Sequence, residues 1–224
     1  MLSRANDEAK WTIAELHRAK ALGGRAWMGS QTIRPKDRRR IAAEVWAGLE
    51  DHLEMAGNMV PVRAGTVFPV DTGGVAVPVD LWRLPHLSPE ARVASMWRRF
   101  AAALNERIQH EFTLMFDRLK KATKLRSHQL RYMVCVELHK DGWPHLHCII
   151  IETGRDPSGK YRVSKRGLKS QWRLGFSKFT LIGGRSGDEK SAWYVCKYLT
   201  KTDVRVRLRH SHGWGRCALP KECP

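Results

Sequence analysis

No apolar stretch in this chain approaches the roughly 18 to 20 residues that a membrane-spanning helix requires. The N-terminal MLSRANDEAK is also too polar to be the apolar centre of a secretory signal. A cytoplasmic protein of a bacterial host cell, with no membrane partner, is therefore expected. Cysteine is scarce: Cys135, Cys148, Cys196, Cys217 and Cys223 form no CxxC pair and are odd in number. That pattern fits reduced thiols better than a disulfide scaffold. His210 and His212 accompany Cys217 and Cys223 near the C-terminus, at a spacing that matches no common zinc finger. A nucleotide-driven motor is missing too. Gly183 to Ser191, GGRSGDEKS, has glycines and a lysine but no Gly directly before the lysine at P-loop spacing. It reads as a flexible connection. Acidic residues are in deficit, 22 Asp and Glu against 40 Lys and Arg, which leaves a formal charge of +18. Such a field attracts phosphates and raises association rates, so the partner is a polyanion. Internal repeats and low-complexity tracts are absent, and 224 residues suffice for one good core with an added subdomain.

What the chain does contain is concentrated in Glu137 to His147, ELHKDGWPHLH. Apolar residues alternate through Tyr132, Val134, Val136 and Leu138, so this run reads as a strand whose other face carries Cys135, Glu137 and His139. Asp141-Gly142 supplies a turn, and the returning strand, His145 to Glu152, puts His145 and His147 on one face. If Glu137 pairs opposite either histidine, their β-carbons lie about 4.5 to 5.5 Å apart and three metal-ligating groups converge. A slip of one residue would turn Glu137 away. The pair alone says little, because ten His give about 0.4 chance matches to His-x-His. The plainer reading is histidines that line a half-buried sheet face.

A second motif lies downstream, Tyr194-Val195-Cys196-Lys197-Tyr198-Leu199-Thr200-Lys201, a doubled Tyr-x-x-Lys inside a helix expected from about Asp188 to Lys201. Residues three and four apart share a helix face, so Tyr194, Lys197, Tyr198 and Lys201 form one stripe. A tyrosine with a free pKa of about 10 needs a nearby cation or a polarised substrate to act as a nucleophile at neutral pH. An amphipathic helix with boundary tyrosines and snorkelling lysines is the bland alternative.

Around these motifs, residues 1–57 read as a helical extension, with segments near Glu8 to Leu22 and from Pro35 to Met55 parted by Gly23-Gly24. Residues 58–224 read as the main domain. Val60 to Val79 suggests two short valine-rich strands, which Pro61, Pro69 and Pro78 confine to edges. Ser88-Pro89 then opens a long helix whose buried stripe runs Val93, Trp97, Phe100, Leu104, Ile108, Phe112, Met115 and Leu119. Two strands, a short helix near Leu168 to Trp172, a strand at Phe176 to Ile182 and the tyrosine helix complete the order. With one strand upstream the fold is α+β, a ferredoxin-like antiparallel sheet with helices on one face. Nine Trp, Trp143, Trp172, Trp193 and Trp214 among them, are possible stacking platforms for unpaired bases, though most are expected to anchor the core.

Together, His145-Leu146-His147 and the Tyr194/Lys197 and Tyr198/Lys201 pairs resemble the HUH endonuclease superfamily, in particular rolling-circle replication initiators (Rep) of single-stranded DNA phages and small replicons. The resemblance covers about residues 130–214, and Trp172 and Gly175 match a Trp-x-x-Gly step of phage initiators. It implies the HUH endonuclease fold and site-specific nicking and joining of single-stranded DNA through a 5'-phosphotyrosine. It implies Mg2+ or Mn2+ held by His145, His147 and Glu137, with His139 as the alternative third ligand. Tyr194 or Tyr198 would be the nucleophile, and Lys197 and Lys201 would stabilise charge. Trp143, Arg185, Lys190, Arg205 and Arg207 are the expected DNA contacts. The implied partners are an origin, expected as a hairpin, and a host helicase and DNA polymerase in trans. A transposase or mobilisation relaxase would share the chemistry, and a non-catalytic nucleic-acid-binding protein is the alternative of another class. The family's usual first strand, apolar and ending in Thr, has no clean copy; its nearest candidate lies in Val60 to Val79.

Overall fold

The computed structural model describes the backbone of residues 2–55, 60–68, 77–83, 89–138, 143–197 and 208–215. Side chains are described for residues 5–49, 98–137, 143–183, 187–197 and 208–215. The elements in chain order are α1 (Leu2–Ala21), β1 (Arg25–Ile33), α2 (Pro35–Met55), β2 (Val60–Phe68), β3 (Val77–Arg83), α3 (Pro89–Thr123), β4 (Leu130–Leu138), β5 (Pro144–Glu152), α4 (Lys165–Gln171), β6 (Gly175–Leu181), α5 (Gly184–Cys196) and β7 (Arg209–His210).

The first strand of the sheet is β1, not a segment within Val60 to Val79. It lies inside the stretch expected to be wholly helical. Its sequence, RAWMGSQTI, buries alternate residues toward its C-terminal end, Gly29, Gln31 and Ile33, as a two-faced strand should. Punctuation at both ends isolates it. Gly23 adopts φ 70° at the end of α1, where its N–H donates to the Lys20 carbonyl, and Pro35 opens α2. Gly29 is required in the strand itself, because a β-carbon there would meet Phe179 Cε1 at 2.5 Å and Cys148 Sγ at 2.7 Å. The valine-rich hairpin forms as expected but stands as a separate two-stranded sheet, β2 with β3, in which Pro61 and Pro78 can cost no central ladder bond.

The main sheet runs β6-β1-β5-β4-β7 with every pair antiparallel. Taking β1, β4, β5 and β6 as first to fourth, the order is fourth, first, third, second, the ferredoxin-like arrangement expected. The helices lie on both faces, however, rather than one. Against one face pack Ile41, Val45 and Trp46 of α2, Phe100, Leu104, Ile108, Phe112, Met115 and Leu119 of α3, and Leu168 of α4. They meet Leu130, Val134, Val136, Leu146, Cys148 and Ile150 from β4 and β5. The other face holds Met133, Cys135, Ile149 and Ile151, covered by Ala9, Leu16 and Ala19 of α1 and by Ala192, Val195 and Cys196 of α5. Both faces need cover because β5 is apolar at nearly every position, PHLHCIIIE, and so cannot leave one side in water.

Among the described residues, no helix is long and apolar enough to cross a membrane. The short β7 pairs with β4 through Met133 and His210, adding a fifth strand that periodicity could not reveal from two residues. Two buried ion pairs tie the second layer to the sheet: Arg131 to Glu15 at 2.7 Å and Lys20 to Asp188 at 2.6 Å.

Candidate active site

The β4–β5 pairing decides the site. Glu137 sits directly opposite His145, one of the two registers that bring the acid to the histidines, and Cys135 sits opposite His147. Residues 139–142, with His139 and the Asp141-Gly142 turn, lie outside the described residues. The His145 and His147 rings stand 4.7 Å apart, and His147 Nε2 shares a 2.9 Å hydrogen bond with Glu137 Oε2. Burial, and after it the positive charge of Lys197, pulls the His147 imidazole down to about 4. Near neutral pH this contact is therefore a hydrogen bond between a neutral imidazole and a carboxylate, not an ion pair.

Helix α5 brings the second motif to the same place. It begins at Gly184 rather than about Asp188, so the expected flexible connection is the first turn of the helix. Gly183 caps it without a side-chain hydrogen bond, and the helix is held instead by packing against α1. Asp188 is fully buried, paired with Lys20 at 2.6 Å and lying 3.7 Å from His17. Tertiary contact here overrides the weak helix propensity of Gly and Ser. Asp188, Ala192, Val195 and Cys196 form the buried stripe, which leaves Tyr194 and Lys197 at the border of solvent. Tyr194 is 37 % exposed; its ring stands edge-on to His147 at 5.3 Å between centroids. Lys197 Nζ lies 4.0 Å from the centre of the Tyr194 ring.

The structure thus gathers Glu137, His145, His147, Tyr194 and Lys197, two distant sequence motifs, on one side of the sheet. Tyr198, Lys201, Arg205 and Arg207 lie outside the described residues, as does the side chain of Arg185. Lys190 is exposed on α5. Trp143 is corrected: it is 2 % exposed, packed in the main core with the Arg38 guanidinium 5.3 Å from its ring, and offers no face to a base. Trp172 and Trp214 are buried as well, while Trp193 is exposed. The nearby thiols are not competing nucleophiles. Burial raises both Cys135 and Cys196, the latter to about 12, so neither ionises near neutral pH.

For a divalent cation the fit is partial. The 2.9 Å between His147 Nε2 and Glu137 Oε2 is close to the spacing of adjacent ligands around a six-coordinate ion with bonds of about 2.1 Å. Among the described residues, though, no three His, Cys, Asp or Glu side chains are gathered as a metal-binding group. The carboxylate is engaged by His147 while its cross-strand neighbour is His145, so the pair fits a cation and the third donor is not drawn in. Sequence reasoning missed Ser30, which β1 sets directly beside His147. The alternation of Met28, Ser30 and Thr32 was the available signal.

Residues 100–203 match the family model described as replication-associated protein ORF2, a family of rolling-circle replication initiators. The matched span runs from α3 to beyond α5 and takes in every described residue of the site except β1. Neither the curated proteins nor the solved structures contain a match to this chain.

Proposed function

We propose that this protein initiates rolling-circle DNA replication as an HUH-type endonuclease, nicking and rejoining single-stranded DNA at an origin with Tyr194 as a nucleophile. The observation that carries the reading is the position of Tyr194, edge-on to His147 with Lys197 against its ring. A replication-initiator match across the same residues supports it.

In the proposed reaction the Tyr194 phenolic oxygen attacks the scissile phosphorus in line with the departing 3'-oxygen. The Tyr–O–P bond forms, the P–O3' bond breaks, and the phenolic proton ends, through water, on the 3'-hydroxyl. The enzyme keeps a 5'-phosphotyrosine, and the free 3'-hydroxyl primes synthesis. Attack by a 3'-hydroxyl on the phosphotyrosine reverses the step without ATP. Lys197 favours the phenolate and the charge that develops on phosphorus, and Lys201 is assigned the same role beside Tyr198. A Mg2+ or Mn2+ ion held by His147 and Glu137, with His145 or His139 as third donor, would supply polarisation of the scissile phosphate. His147 serves that role only as the neutral imidazole, the form its burial enforces. Tyr198 is proposed as the second nucleophile, one that lets an enzyme still attached to DNA cut again.

The implied substrate is a single-stranded origin, expected as a hairpin, with helicase and polymerase supplied in trans. A transposase or relaxase would use the same side chains on a different DNA. The deciding experiment incubates the protein with single-stranded circular DNA of candidate replicons in Mn2+ and looks for a covalent protein–DNA adduct on denaturing gels. An adduct lost in the Tyr194→Phe, Tyr198→Phe double variant upholds the reading. Binding with no adduct on any DNA leaves only the non-catalytic alternative.

A further inference from the structure

The registers of four strands place more than the histidines on the site's face of the sheet. Cys135 lies opposite His147, His147 opposite Ser30, and Ser30 opposite Lys178, a single row across β4, β5, β1 and β6. One pleat further along, Glu137 lies opposite His145, and Thr32 lies opposite Phe176. Cross-strand partners share a face, so Ser30, Thr32, Phe176 and Lys178 continue the surface that carries the two histidines. With strands about 4.8 Å apart, Lys178 and His147 are separated by two spacings, about 10 Å, a reach of a couple of nucleotides.

This half of the face is open. α1 and α5 bury Ala26, Met133, Ile149 and Ile151 at the other end, but Ser30 and Thr32 are half-buried and Lys178 and Phe176 are exposed. Phe176 is 68 % exposed, the most exposed of the large apolar residues described, although its neighbour Phe179 is buried in the main core. Thr32 Oγ1 donates to the Phe176 carbonyl at 3.4 Å, a local contact that leaves the ring itself uncovered. Neither β1, RAWMGSQTI, nor β6, GFSKFTL, contains an acidic residue. An aromatic ring beside a lysine, on an acid-free surface of a +18 chain, suits an unpaired base and its phosphate better than a protein segment.

We infer that Ser30, Thr32, Phe176 and Lys178 form a single-stranded DNA platform leading to the histidine site. Phe176 stacks on an unpaired base, Lys178 meets a phosphate, and the Ser30 and Thr32 hydroxyls line the path between them and His147. As a path to a nicking centre the platform rests on the function proposed above; as a binding surface it is tested without cleavage.

The probes are a fluorescent 20-nucleotide oligothymidylate and an abasic oligonucleotide of the same length, titrated by anisotropy in EDTA with the full chain. The wild type favours the base-bearing probe. Phe176→Ala reduces that preference about fivefold or more, and Phe176→Trp retains it. Lys178→Ala weakens both probes alike and lowers the log-log salt slope by about 0.7, the loss of one phosphate contact. A base preference unchanged in Phe176→Ala, together with an unchanged slope in Lys178→Ala, overturns the platform. Because both side chains are exposed, neither substitution removes core packing. Adduct formation by the wild type on circular single-stranded DNA in Mn2+ is scored separately. No adduct with the binding differences intact sinks the nicking reading and upholds the platform, and the reverse pattern sinks the platform alone.

Discussion

At the scale of single residues the site rests on His147, which touches both motifs: it bonds Glu137 on β4 and meets Tyr194 on α5. His147→Ala and His145→Ala are each expected to abolish adduct formation while single-stranded DNA affinity changes little, since the basic surface supplies most of the binding. Adduct gels and anisotropy on the same preparations separate the two effects. Tyr194→Phe and Tyr198→Phe should each leave a measurable first cleavage, and the double variant none. A single substitution that removes every adduct would make this a one-tyrosine enzyme. The His147 imidazole, lowered to about 4 from its usual 6.5, also sets a pH window. Between those values the unfolded chain binds a proton that the folded protein refuses. Stability is therefore unaffected by this group above about 6.5 and falls as pH drops toward 4, by up to about 3 kcal/mol. Urea titrations from pH 4 to 7 should show that loss reduced in His147→Gln.

At the scale of elements, what carries the tyrosine to the histidines is the docking of α5 on α1. Asp188 is buried with Lys20 against it, so Asp188→Asn should weaken that contact by about 1.5 to 3 kcal/mol, seen as a lower urea midpoint. The loss should also reduce adduct formation, because Tyr194 rides on the same helix. Lys190→Ala, on the exposed side of α5, serves as the control with little effect on stability. β1 depends on Gly29 in a comparable way. A methyl group there overlaps Phe179 and Cys148, and Gly29→Ala should cost about 1 to 3 kcal/mol. An unchanged midpoint in that variant would mean that β6 shifts to accommodate it.

At the scale of the whole molecule, the excess of basic residues acts as a field. If about six phosphates are contacted, affinity for single-stranded DNA should fall with salt at a log-log slope near −4. A flat response would separate the +18 charge from DNA binding. The sheet organises that field by giving its two faces different tasks. One is closed by α2, α3 and α4 over a large apolar core, and the other is only partly closed by α1 and α5. Its open remainder holds the histidines and the β1 and β6 residues beside them.

The sequence by itself determined the elements whose signals are local: the alternation of β4, the long apolar stripe of α3, the valine-rich hairpin, and the parity that puts His145 and His147 on one face. It narrowed the β4–β5 register to two choices, and cross-strand packing selected the one with Glu137 opposite His145. Only the tertiary structure decided the rest. β1 is short, interrupted by a glycine and flanked by helices, so its strand character comes from the partners β5 and β6 that supply its hydrogen bonds. The first turn of α5, weak in helix propensity, forms because Asp188 finds Lys20 inside. Trp143 is buried because α2 and α3 enclose that side of the sheet. Local periodicity reports which face a residue shares with its chain neighbours. Which face is then covered depends on contacts between segments far apart in sequence, whose strength no single segment encodes.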